Sequence, residues 1–180
     1  MCSSDLIHDN ENKKNQQLTE TFNLIGTSNE KARIAVNNEH IRVGENTRED
    51  IYFYLPDDSH TRIFYVEGKR LPKFGTRSEE EYVQGRNASD NPSGGIERFK
   101  LGRHGEPARI KHNGLIAYVE NQSISEWENI INKSIERKFP NDSLLEQISE
   151  KPREYKSIHE YTCDVQGRFT MYHFWIDLIT

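Results

Sequence analysis

Two carboxylates and one ammonium, carried by Asp50, Glu67 and Lys69, are spaced in this sequence so that a simple β-hairpin would bring them together. They lie on two apolar runs, DIYFYL at 50–55 and RIFYVEGK at 62–69, both rich in β-branched and aromatic residues, with the turn formers PDDSHT between them. If Leu55 closes against Arg62 across that loop, Asp50 falls directly opposite Glu67. Strand residues alternate between faces, so Asp50, Tyr52 and Tyr54 share one face with Ile63, Tyr65, Glu67 and Lys69, and Ile51, Phe53 and Leu55 share the other with Phe64 and Val66. Like charges opposed at about 5 Å across a strand pair repel, and a divalent cation would offset that repulsion. Two carboxylates on adjacent strands can hold Mg²⁺ (or Mn²⁺) through oxygen ligands while several waters stay on the metal, and one such water can attack a phosphodiester phosphorus. Lys69, one pleat beyond Glu67, could orient that water or stabilise charge on the phosphate. The plain alternative is a structural cluster of acid and lysine at a strand end.

The acid-x-Lys tripeptide alone carries little information, because Glu11-Asn12-Lys13, Glu136-Arg137-Lys138 and Glu154-Tyr155-Lys156 have it too. Context separates Glu67-Gly68-Lys69: only this copy ends an apolar strand that follows an acid-headed partner strand at hairpin distance. The elements around it follow from periodicity. Leu18, Phe22 and Ile25 form a short helical stripe ending near Gly26, after a segment 1–17 that reads as disordered. Loose alternation over 31–43 predicts a first strand pairing with 50–55. The stretch 71–95 is polar and rich in Pro, Gly, Asn and Asp, and reads as a long connection. GIERFKLGRH predicts a short helix, GLIAYVE a buried strand, and Ser125-Glu126-Trp127-Glu128 a capping box that opens a helix with Trp127, Ile130, Ile131 and Ile135 on its apolar face. Leu144, Leu145 and Ile148 suggest a further helical turn, and the C-terminus reads as a second hairpin around Gln166-Gly167. The order is helix, three strands, helix, strand, helix and an added hairpin, which makes an α/β domain over 18–180.

Composition sets the bounds. A chain of 180 residues can bury one core. Its hydrophobic fraction is only 33% and its mean hydropathy −0.90, but 10% aromatic residues concentrated in short runs argue for a real core beneath a polar surface. No apolar run is long enough to span a membrane, and the N-terminus lacks the basic-then-apolar pattern of a secretory signal, so the sequence reads as cytoplasmic. Cys2 and Cys163 offer neither a disulfide framework nor a cysteine metal site, and the histidines, His104, His112, His159 and His173 among them, lack ligand spacing and read as surface or core-edge residues. Although the net charge is −5, Arg62 to His112 holds 11 Lys+Arg against 7 Asp+Glu, so a basic face is compatible with an acidic protein.

At Asp50, Glu67 and Lys69 the chain resembles the PD-(D/E)XK nuclease superfamily, whose core is helix, three-stranded antiparallel meander, helix, strand, with an Asp opening the second strand and Glu-x-Lys closing the third. The wider pattern YVEGKRLP, EYVQG, GGIERFKLGRHG and GLIAYVE is similar to a group of uncharacterised bacterial restriction-endonuclease-like proteins. The resemblance implies a restriction-endonuclease-like fold and a Mg²⁺-dependent DNA endonuclease of restriction or anti-phage type, with Asp50 and Glu67 as metal ligands and Lys69 completing the catalytic set. It implies backbone-phosphate contacts by Arg98, Lys100 and Arg103 in and after the helix that follows the catalytic strand. The Pro-Asp at Pro56-Asp57 is a decoy, because that Asp lies in the loop. An additional acid from the first helix is common in the family; here Glu20 lies off the apolar stripe and Glu39 falls on the first strand, which leaves one-metal and two-metal chemistry open. Family members that have lost catalysis make a non-catalytic nucleic-acid- or protein-binding module the alternative, and a homodimer or a defence-system partner is left open.

Overall fold

Among the described residues every strand joins a single seven-stranded mixed sheet with helices on both faces. The computed structural model describes residues 11–28, 34–41, 48–72, 78–150 and 153–179. In chain order the elements are α1 (Glu11–Ser28), β1 (Ala35–Ile41), β2 (Arg48–Tyr54), β3 (Arg62–Leu71), α2 (Ser78–Tyr82), α3 (Gly95–Lys100), β4 (His112–Val119), α4 (Ile124–Lys138), β5 (Glu146–Gln147), β6 (Glu154–Glu160) and β7 (Arg168–Asp177). The strand order is β1-β2-β3-β4-β7-β6-β5. The first three strands form an antiparallel meander, β4 runs parallel to β3, β7 runs parallel to β4, and β6 and β5 return antiparallel. The C-terminal hairpin is therefore no appendage. It inserts β7 directly beside β4 and makes the sheet larger than the sequence predicts.

Alternation along the central strands divides the core in two. Val36, Ile51, Val66, Ile116 and Tyr118 face α1, where Leu18, Phe22, Phe53 and Phe64 pack against them. Tyr65, Leu71, Leu115, Ala117, Val119, Met171 and Trp175 face the other way, toward Tyr82, Ile96, Phe99, Trp127, Ile131 and Ile135 from the helical side. Both faces of β3 and β4 are covered, as their near-continuous apolar runs require. Among the described residues no helix is long and apolar enough to cross a membrane.

The hairpin carrying Asp50 and Glu67 has Tyr52 opposite Tyr65 and Phe53 opposite Phe64, in the register read from the sequence. It departs from that reading at the turn: Tyr54 pairs with Arg62, so Ile63 is the extra residue of a bulge. The cause is local. Asp57 Oδ1 accepts the backbone N–H groups of Ser59 (3.1 Å) and Thr61 (2.9 Å), His60 takes a positive φ of 47°, and the Leu55 N–H reaches Thr61 O at 2.9 Å. Asp57 is thus a loop residue with a turn-forming role.

Four other local expectations need correction. α1 starts at Glu11, inside the segment read as disordered. The polar connection contains α2, whose Tyr82 is fully buried. The capping box belongs to Ser123 and Glu126 rather than to a box begun at Ser125. Leu144, Leu145 and Ile148 flank the two-residue strand β5 and form no helical turn.

Gly68 explains how α1 reaches the site. A Cβ at this position would lie 2.3 Å from Oδ1 of Asn15, a buried α1 side chain that accepts the Tyr118 hydroxyl hydrogen at 2.7 Å. The glycine between Glu67 and Lys69 therefore permits the close approach of helix and sheet. Gly68→Ala should destabilise the fold by about 1–3 kcal/mol through overpacking, and adding Asn15→Ala should return most of that loss. Denaturant titration of the two variants checks this; a Gly68→Ala protein as stable as wild type would show that α1 does not rest on this contact.

Candidate functional site

Because Ile51 pairs with Val66, continuing the ladder sets Asp50 opposite Glu67 at the end of the β2–β3 hairpin. Glu67 and Lys69 project with Tyr65 and Leu71 toward the α2–α3 side, and both are buried, at 1% and 6% exposure. Asp50 is partly buried, and its Oδ2 accepts the Gly68 N–H at 2.8 Å. The three residues singled out by the hairpin argument thus form one cluster.

Cations load the Glu67 carboxylate unevenly. Lys69 Nζ sits 2.5 Å from Oε1, and the Arg98 guanidinium donates to the same Oε1 at 2.6 Å. The other oxygen, Oε2, is buried and has no hydrogen-bond partner among the described residues; His104 Nδ1 lies 3.7 Å from it. Arg98 comes from α3, which the sequence reading treats as an exposed phosphate-binding helix. The helix is in fact largely buried, since Gly95 lies against Leu115 so closely that a Cβ there would be 2.9 Å from its Cδ2.

The three cationic candidates near α3 consequently have separate fates. Arg98 joins the site. Lys100 is 3% exposed and paired with Asp142 at 2.5 Å, so its ammonium is not presented to a phosphate, and that assignment is corrected. Arg103 lies in the turn after α3, partly buried, with its N–H on Arg98 O at 2.9 Å. Glu20 is exposed on α1 and accepts Gln16 Nε2 at 3.1 Å, while Glu39 falls on β1 with its side chain outside the described residues.

Two contributors escape the sequence reading. Glu11, the first residue of α1, lies close enough to act electrostatically on Asp50 and Lys69. His104, expected at a surface or core edge, is 1% exposed and faces Glu67. The signal for His104 is the pair Gly102 and Gly105, whose positive φ values of 66° and 71° fold the chain back so that the His104 N–H meets Arg98 O at 3.3 Å. Glu11 leaves no such signal, because it precedes the apolar stripe.

The electrostatics split the two carboxyls. Burial alone would raise the Glu67 pKa, but Lys69, His104 and Arg98 outweigh it and hold the group well below the usual carboxylate range. Burial, reinforced by Glu67, pushes Asp50 up to about 7, with only Lys69 and the Gly68 N–H opposing. Lys69 would be lowered by burial, yet Glu67, Glu11 and Asp50 keep it firmly protonated. Near neutral pH the cluster therefore holds one ionised and one half-protonated carboxyl, a divergence typical of sites that handle protons or cations.

An all-oxygen donor pair suits a hard cation such as Mg²⁺, which commonly takes one or two protein carboxylates and keeps its remaining ligands as water. The atom that fits this role is Glu67 Oε2, buried and without a hydrogen bond among the described residues. Among those residues no group of three or more His, Cys, Asp or Glu side chains is arranged to hold a metal, and Asp50 and Glu67 are the carboxylate pair a cation here would use. Comparison with protein-family models, with curated proteins and with solved structures finds no match.

The raised pKa of Asp50 fixes the sign of a pH effect. Folding favours its protonated form, so the benefit is fully present below the unfolded value of about 3.8 and is lost as pH rises through about 7. Asp50→Asn cannot lose a proton. Its stability relative to wild type should therefore grow between pH 4 and 7, by no more than about 1.4 kcal/mol per pH unit, and level off above that. Denaturant midpoints of both proteins across this range, in chelator, provide the check; a constant difference would mean that Asp50 is ionised in the folded protein throughout.

Proposed function

We propose that this chain is a Mg²⁺-dependent (or Mn²⁺-dependent) DNA phosphodiesterase with a restriction-endonuclease-like core, in which Asp50 and Glu67 hold the metal and Lys69 and Arg98 attend the phosphate. The observation that carries this reading is the uneven loading of Glu67: both cations sit on Oε1, and among the described residues Oε2 has no hydrogen bond. The element order supports it too, since α1, the antiparallel meander β1–β3, the helices α2 and α3, and a β4 parallel to β3 follow the sequence of elements in the nuclease core.

When bound, the metal would supply Lewis-acid polarisation of a phosphoryl oxygen and an acidified water. The protein's own groups do the rest. Glu67 stays ionised because Lys69 and Arg98 flank it, so it is ready to bind a cation without first releasing a proton. Asp50, raised toward neutrality by burial, can take up or give up a proton near pH 7. Lys69 is fixed by Glu67 Oε1 and aims a permanent positive charge at the cluster, where charge develops on a phosphate under attack. Arg98 retains 21% side-chain exposure, so its remaining N–H donors can meet a phosphate at the mouth of the site. DNA is the proposed partner, and restriction or anti-phage defence the proposed setting.

The other reading, a nuclease-fold module without catalysis, is favoured by one observation: the Glu67 charge is already neutralised internally by Lys69 and Arg98. A cleavage assay separates the two. With Mg²⁺ or Mn²⁺ and single-stranded, duplex and branched DNA, wild type should cut at least one substrate, and Lys69→Ala and Glu67→Gln should each lose about 10²-fold or more. Glu67→Gln is preferred to Glu67→Ala because it keeps a polar partner for the two buried cations. Asp57→Ala should cut like wild type. Undiminished cleavage by the Lys69 variant, or metal-independent cleavage by all of them, would remove the proposed roles.

A further inference from the structure

Beneath α2 and α3 lies a buried chain of polar groups that the candidate site does not use. Trp175 Nε1 donates to the Tyr82 hydroxyl at 2.9 Å, and that hydroxyl bonds His173 Nδ1 at 2.8 Å. His173 Nε2 is 2.7 Å from Ser157 Oγ, which is 2.6 Å from His159 Nε2. His159 Nδ1 meets Asp142 Oδ2 at 2.8 Å, and Lys100 closes the series on the same oxygen. Ser157, His159 and Asp142 have the connectivity of a nucleophilic triad. Yet Ser157 is 1% exposed and its hydroxyl is already engaged by two imidazoles, so it is not available to a substrate.

Chemistry at the two ends fixes the direction of the chain. An indole N–H only donates and an ionised carboxylate only accepts. Tyr82 accepts from Trp175 and so spends its own hydrogen on His173 Nδ1, which leaves the His173 proton on Nε2, facing Ser157. Ser157 then donates to His159 Nε2, and His159 carries its proton on Nδ1, toward Asp142. Every donor finds an acceptor, and the two neutral histidines hold opposite tautomers. Both are kept neutral by burial, in the case of His159 against the pull of Asp142. The reverse direction would leave the Tyr82 hydrogen without an acceptor and turn a bare nitrogen toward the carboxylate.

We propose that this one-way relay is the positioning device of the site: Tyr82 and Lys100, anchored through His173, Ser157, His159 and Asp142, hold α2 and α3 on the sheet and thereby set Arg98 against Glu67. The two anchors bracket Arg98 along the chain. Next to Tyr82, Val83 O accepts the Glu97 N–H at 3.0 Å; past Arg98, Lys100 O accepts the Thr162 N–H at 2.9 Å. α3 spans only six residues, too few to hold its own geometry, so its placement depends on what it is tied to. Ser157 and His173 are then positioning residues, acting on Arg98 through the backbone of α3, whether or not the site is catalytic.

Three measurements on the full chain test the proposal. Long-range ¹H–¹⁵N correlation of the imidazoles at neutral pH should show His173 protonated at Nε2 and His159 at Nδ1; the same tautomer at both would overturn the relay. In Ser157→Ala, amide exchange at Arg98 and Leu101 should accelerate about tenfold more than at the β3 and β4 ladder amides, because breaking a buried network opens the piece it holds before it opens the sheet. The Arg98 guanidinium, immobilised by Glu67 in wild type, should rotate freely in the variant. Equal acceleration in α3 and the sheet, or an Arg98 still held, would show that the network stabilises the domain without positioning the site. Should Ser157→Ala not fold, Tyr82→Phe cuts the same chain at its head with little change of shape and is read by the same two criteria.

Discussion

A buried carboxylate in the middle of a sheet is expensive unless its charge is met at once, and Glu67 is nearly inaccessible. Much of the structure around it can be understood as the means of meeting that charge. Lys69 comes from the same strand two residues on, and Arg98 comes from a different element, so the balance requires both the pleat of β3 and the docking of α3. Removing either cation would leave an ionised group in low dielectric, a loss that can reach about 3–5 kcal/mol for a buried pair. The cluster is consequently as much a constraint on the fold as a product of it. It binds the β2–β3 hairpin to the helical layer through Arg98.

Three approaches converge on that point. On one face, Gly68 lets α1 settle with Asn15 against the strand, which brings Glu11 within electrostatic reach of Asp50 and Lys69. On the other, Gly95 lies directly on Leu115 and lowers α3 until Arg98 meets Glu67. Beyond α3, Gly102 and Gly105 turn the chain back so that His104 closes the same pocket. What remains is one carboxylate oxygen without a hydrogen bond among the described residues, with His104 Nδ1 3.7 Å away, and across the hairpin an aspartate whose pKa burial raises. A purely structural charge cluster would be expected to satisfy both oxygens.

The part of this arrangement legible in the sequence is the part governed by the period of a strand. Alternation and a short loop were enough to set Tyr52 against Tyr65 and to put Asp50, Glu67 and Lys69 on one face, and the bulge at Ile63 left this intact because it falls at the turn end of the ladder, between the Phe53–Phe64 and Tyr54–Arg62 pairs. Long-range placement was not legible. Arg98 and Lys100 look alike in GIERFK, yet two residues apart they leave the helix about 200° apart, one reaching Glu67 on β3 and the other Asp142 in the chain after α4. The C-terminal hairpin was recognisable as a hairpin, but nothing in its pattern says that β7 pairs with β4. His159 and His173 carry no mark of burial in sequence; burial keeps them neutral, and partners from α2 and from the chain after α4 set which nitrogen carries the proton.

Under the proposed function, Glu67 Oε2 and Asp50 would together form a cation position that Lys69 and Arg98 leave open. Anomalous diffraction from crystals soaked in Mn²⁺ tests it most directly. A manganese peak is expected at coordination distance from carboxylate oxygens of both Asp50 and Glu67, with Lys69 and Arg98 still on Oε1, and no peak there in Glu67→Gln. Manganese bound elsewhere, or none at this position while the cluster keeps the geometry described, would contradict it.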